Sequence, residues 1–113
     1  KFIDLTYLKS IDPGNIEFLK EMISGFLENT PLLFEQIKGF LAEENWEKIS
    51  KAVHKMKPSF NFMGITSITA DILKLEKDAL HKSNLEEIPT LIEKIEKVAK
   101  EAFSELEQEL KNL

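Results

Sequence analysis

Apolar residues recur along the whole chain at intervals of three and four, the period of helices buried on one side. A short first helix is predicted after Asp4, with Leu5 and Leu8 inward. Asp12-Pro13-Gly14-Asn15 reads as a turn, with Asn15 as the N-cap of a second helix. That helix carries Ile16, Leu19, Met22, Ile23, Phe26 and Leu27 on one face. Thr30-Pro31 places a cap residue before a proline, the signature of a new helix start. The third helix then buries Leu33, Phe34, Ile37, Phe40 and Leu41. Asn45 caps a fourth, whose stripe runs through Trp46, Ile49, Val53, Met56, Phe60 and Met63 and stops at Gly64. Thr66 or Ser67 caps a fifth helix with Ile68, Ile72, Leu75 and Ala79 inward, and Ser83-Asn84 ends it. The last helix runs from about Leu85, with Pro89 near its first turn, where a missing N–H costs least. No stretch alternates in the manner of a strand.

Short connections favour antiparallel neighbours. The pattern therefore predicts an all-α fold: an up-and-down antiparallel four-helix bundle made of the last four helices, with two additional N-terminal helices packed on it. The 113 residues, 42% of them apolar, suit one domain spanning 1–113.

Charge and composition narrow the function. A net charge of −5 argues against nucleic acid as a partner, since phosphate backbones demand a basic surface. The absence of cysteine excludes disulfides and thiolate metal sites and agrees with a reducing compartment. No apolar run approaches the roughly 20 residues that span a bilayer. Lys1-Phe2-Ile3-Asp4 does not read as a signal peptide, and the lack of an initial methionine suggests a piece of a longer protein. A cytoplasmic setting is the expectation.

The chemistry concentrates at His54. On a helical wheel it lies about 100° beyond the inward Val53. Its own row is Ser50, His54, Lys57 and Asn61, all polar. The residues one turn away are Ser50, Lys51, Lys57 and Pro58, none both large and apolar, so a partner could reach the ring. Lys48, Lys51, Lys55 and Lys57 fall within ten residues, whereas the stretch from Glu86 onward holds eight glutamates and four lysines. Charge is thus locally reversed around this imidazole. Lysines nearby should favour its neutral, nucleophilic form and offset the charge of a phosphoryl group.

His54, Met56, Lys57, Ser59, Met63 and Gly64, with Leu75-Glu76 on the next helix, form a pattern that resembles the histidine-containing phosphotransfer domain of multistep two-component relays. The resemblance covers most of the chain. It implies His54 as phosphoacceptor and Lys57 as the residue that steadies the phosphate. Ser59 and Gly64 would be structural, Lys55 and Lys51 supporting, and Glu76 a polar neighbour of the histidine. It also implies a receiver domain as partner, docking transiently on a monomer with no membrane contact. This chain would need no cofactor of its own, Mg being supplied by the receiver. One position departs from the family, which usually has glycine where Pro58 stands. A proline there removes an N–H and should bend a helix that continues through it. The chain would carry phosphate rather than make it from ATP, because it has no G-x-x-x-x-G-K-[ST] or other glycine-rich loop; autonomous kinase activity is not expected.

Plainer readings stand beside this one. A surface histidine is usually only solvated, and a lysine run is usually a solvated face. His81 reads as an exposed cation at a helix C-terminus. Asp71 and Glu76 read as surface residues, and Phe62, off the main stripe, as partly exposed. The chief alternative is a non-catalytic helical module that binds receivers without accepting phosphate. A metal hydrolase in a helical bundle is weaker, because no Glu-x-x-His occurs.

Overall fold

The computed structural model describes residues 1–113. Five α-helices form: α1 Thr6–Ile11, α2 Ile16–Ala42, α3 Trp46–Phe62, α4 Thr69–His81 and α5 Ile88–Lys111, the last entered through a 3-10 turn at Leu85–Glu87. α2 packs on α3, α3 on α4, α4 on α5, and α5 back on α2, which closes a four-helix ring; the whole chain extends 44 Å along its long axis. Its core includes Ile23, Phe34, Ile49, Met56, Phe60, Leu75, Ile95 and Leu106, each 1% exposed or less. Phe26 meets Phe60 and Phe103 edge-on at 5.4 and 5.8 Å.

The architecture agrees with the sequence reading except in its division into helices. The predicted second and third helices are one, α2, with Pro31 inside it. The four bundle helices are therefore α2 to α5, and only α1 remains as an added N-terminal helix. The reason is energetic. An interior proline costs about 3 kcal/mol, but the stripe Leu19, Ile23, Phe26, Thr30, Phe34, Ile37 keeps its phase across the break and is buried on both sides. Burying Phe34 and Ile37 alone contributes roughly 1.5–3 kcal/mol each, which outweighs one lost backbone bond.

Two predicted caps form. Asn15 accepts from the Phe18 N–H at 3.0 Å and Asn45 from Lys48 at 3.2 Å. Neither Thr66 nor Ser67 caps α4, which starts later, after Ile68, with no side-chain cap. Ile65 and Ile68 are both 1% exposed. Their burial draws this segment inward, and the backbone turns through Thr69 N–H to Thr66 O before the helix begins.

The chain before α1 is bound to the bundle. The Glu105 carboxylate of α5 accepts from the Phe2 N–H at 2.8 and 2.9 Å and from Ile3 at 3.1 Å. Asp4 N–H then donates to Met63 O at 3.1 Å, beside the end of α3. Ile3, Leu5 and Leu8 are buried, and Tyr7 stacks on Phe62 at 5.8 Å. A Glu105→Ala substitution leaves two backbone donors without partners. It should lower unfolding free energy by about 1–3 kcal/mol, read by urea denaturation. A change within error would show that the carboxylate contributes nothing net.

Candidate functional site

α3 runs unbroken through Pro58, for the same reason that α2 runs through Pro31: Val53, Met56 and Phe60 are each 1% exposed or less, on both sides of the proline. His54 stays on the outer row of this rigid helix, with its side chain 72% exposed. Pro58 is exposed one turn further on.

The neighbour that shapes the site comes from another helix. Glu76 of α4 places one carboxylate oxygen 2.8 Å from His54 Nδ1 and the other 2.6 Å from Lys57 Nζ. Its side chain is 19% exposed, against 28% for Lys57. The sequence reading took Glu76 as a surface residue, while the family resemblance made it a polar neighbour of the histidine; it is half-buried at the α3–α4 seam and joins the two residues singled out on α3. The Ser50 hydroxyl, buried on α3, reaches Glu76 O at 3.4 Å and ties the two helices at the same level.

This geometry assigns hydrogens. An ionised carboxylate only accepts, so Nδ1 carries the N–H that donates to it. In a neutral ring Nε2 then holds the lone pair. Lys57 draws the Glu76 pKa down, with His54 adding to the effect against partial burial. The nearest charge to the ring is thus a carboxylate, which the lysine run on α3 gave no sign of.

The other lysines turn elsewhere. Lys51 pairs with Glu47 at 3.1 Å, and Lys48 sits over the Phe40 ring at 5.6 Å. Lys55 lines a groove of about 340 Å³ between α2 and α3, with Met22, Phe26, Leu33, Ser59 and Phe62. The Ser59 hydroxyl donates to Met56 O at 2.9 Å. Gly64 ends α3 at φ +67°. Of the residues singled out in the sequence, only His54, Lys57 and Glu76 meet at one point. His81 lies exposed in the last turn of α4.

Asp78 went unnoticed in the sequence. It is 3% exposed and accepts from Lys74 at 2.8 Å and from Ser83 and Asn84 at 3.1 Å each, closing the turn after α4. Lys74 above all, with Asn84 and Ser83, holds its pKa down despite burial. An acidic residue five and six positions before Ser-Asn at a helix end was the available signal.

Glu76 and Asp78 both have lowered pKa values, so each stabilises the fold above the usual carboxylate range, and that contribution is lost as pH falls through the lowered folded value. Stability should therefore decline on acidification below about pH 4–5. Glu76→Gln, which cannot titrate, should flatten that decline. Urea midpoints across pH 2 to 7, roughly the range over which carboxylates titrate, would show it, and an equally steep acid limb in the variant would contradict it.

No helix is long and apolar enough to cross a membrane. A family model described as Hpt domain matches residues 21–113. No curated protein and no solved structure matches the chain.

Proposed function

Because this chain belongs to the Hpt domain family, the histidine phosphotransfer carriers of phosphorelays, we propose that His54 is its phosphoacceptor and that it takes a phosphoryl group from a receiver-domain aspartyl phosphate and passes it to another receiver. The observation that supports this is one imidazole, 72% exposed, whose Nδ1 is held by Glu76 while Nε2 is left for an incoming group.

In the forward step the Nε2 lone pair attacks phosphorus in line. The Nε2–P bond forms as the bond from phosphorus to the aspartyl oxygen breaks, and the carboxylate leaves with the electron pair. No proton need leave the ring. Nδ1 keeps its hydrogen, and the positive charge that develops on the imidazole faces the Glu76 carboxylate. Lys57, next to that carboxylate, lies where it can exchange part of its ion pair for a phosphoryl oxygen. In the return step a receiver carboxylate attacks the same phosphorus and His54 leaves with its original hydrogen in place. The divalent cation for the transfer, Mg, belongs to the receiver's acidic pocket. The chain works as one unit over 1–113, as a monomer in the cytoplasm.

Transfer of label from a phosphorylated receiver to the parent chain and to His54→Gln tests this reading. A non-catalytic receiver-binding module would bind the receiver and take no label.

A further inference from the structure

A phosphoryl group on Nε2 changes what the ring can hold at Nδ1. The neutral imidazole carries one hydrogen, and here it lies on Nδ1, 2.8 Å from Glu76. Once Nε2 is bonded to phosphorus, the ring keeps that hydrogen only as a cation. A cationic ring leaves phosphorus as neutral imidazole. A ring that has lost the hydrogen must leave as the imidazolate anion, a far poorer leaving group. The surroundings bear on this choice from two sides. The half-buried Glu76 carboxylate of α4 is the one ion-pair partner of the ring and favours the cation. Lys57 of α3 opposes it, but is bound to the other oxygen of the same carboxylate. Lys51, paired with Glu47, and Lys55 lie on the α2 flank, where Glu21 lines the same groove as Lys55. A phosphoryl group beside Lys57 would draw its ammonium from Glu76 and leave the carboxylate to the ring.

We propose that Glu76 is a positioning residue for discharge: its carboxylate keeps the Nδ1 hydrogen on phosphorylated His54, so the phosphoryl group is held in the form that is ready to leave. The inference rests on His54 being the phosphoacceptor. In discharge an oxygen of a receiver carboxylate, or of water, bonds to phosphorus as the Nε2–P bond breaks. The bonding pair returns to Nε2, and the ring leaves neutral with its hydrogen still on Nδ1. With water the products are neutral imidazole and dihydrogen phosphate, and no proton is drawn from a third group. The carboxylate that readies the group for a receiver thus also readies it for hydrolysis, because the ring is exposed. The chain is built to pass its phosphoryl group on promptly, not to store it.

The test loads the full chain with potassium phosphoramidate, removes the reagent, and follows loss of the phosphoryl group by 31P NMR from about pH 5 to 9, either side of the usual imidazole range. Loss should slow as pH rises and the ring gives up its hydrogen. A carboxylate that favours the cation moves this slowing to higher pH, so Glu76→Gln should move it down by about 1–3 pH units. At about pH 8 the variant should keep its phosphoryl group roughly tenfold longer or more, and at about pH 5, where both rings are cations, the two should match. The 15N resonance of Nδ1 should pass from protonated to bare over the same interval in each chain. In urea, where Glu76 no longer faces the ring, both should discharge alike. The same pH profile in folded parent and variant overturns the proposal, as does a difference that persists in urea. A parent chain that takes no label on His54, from phosphoramidate or from a receiver, sinks the phosphoacceptor reading itself, a failure distinct from that of Glu76 alone.

Discussion

His54→Gln should accept no label from a phosphorylated receiver, a loss to background. The substitution keeps a polar side chain that can still donate to Glu76 but removes the nitrogen lone pair that the proposed transfer requires. Fold and stability should change little, because the side chain is 72% exposed and packs against nothing in the core. The chain has one other imidazole, His81, exposed at the end of α4 with no carboxylate on its ring. His81→Gln should therefore be labelled like the parent. Label retained in His54→Gln, or lost in His81→Gln, would move the acceptor elsewhere. Acid lability of the captured phosphate and its resonance in 31P NMR identify the N–P bond directly, with the phosphoryl group expected on Nε2 because Nδ1 is engaged at 2.8 Å.

Gly64→Ala should produce the largest loss of stability, about 3 kcal/mol, with little effect on labelling of the folded fraction. Gly64 adopts φ +67°, a left-handed conformation that costs a residue with a Cβ about 1–2 kcal/mol. A Cβ there would also overlap the Asp4 carbonyl oxygen and lie 2.7 Å from Asp4 N. Those atoms are backbone and cannot swing aside, so the segment from Phe2 to Leu8 must move off the end of α3. The bond from Asp4 N–H to Met63 O would go with it. Urea unfolding gives the magnitude, and faster amide exchange over residues 3–8 gives the mechanism. An alanine variant as stable as the parent, with protected amides in that segment, would mean that the turn tolerates a side chain. His54 and Gly64 thus separate cleanly: the first substitution should abolish chemistry and spare the fold, the second the reverse.

The helical pattern made most of the fold legible, and the points where it misled share one cause. Pro31 was read as a helix start because Thr-Pro is a strong local signal. Whether a proline ends a helix depends on what the residues beyond it can bury, and Phe34 and Ile37 find core on the same side as Ile23 and Phe26. Thr66 and Ser67 had the chemistry of caps, yet burial of Ile65 and Ile68 placed the start of α4 elsewhere. At the candidate site, exposure of His54 followed from its row on the wheel. The disposition of the lysines did not: Lys48, Lys51 and Lys55, one turn apart, all lie on the α2 flank, whereas Lys57, two residues beyond Lys55, is held by Glu76 of α4.

By itself the sequence determined the all-helical class, the caps at Asn15 and Asn45, the end of α3 at Gly64, and the placing of His54 and Lys57 on a polar flank. These are local properties, decided within a few turns by spacing and backbone preference. The tertiary structure alone decided that α2 is continuous, that Glu105 binds the N-terminal segment, and that the Glu76 carboxylate pairs with Lys57 as well as His54. Each depends on the rotation and axial offset of one helix against another. Those are set when Val53, Met56 and Phe60 pack with Ile72, Leu75 and Ala79 in a shared core, and no period along a single helix records the outcome.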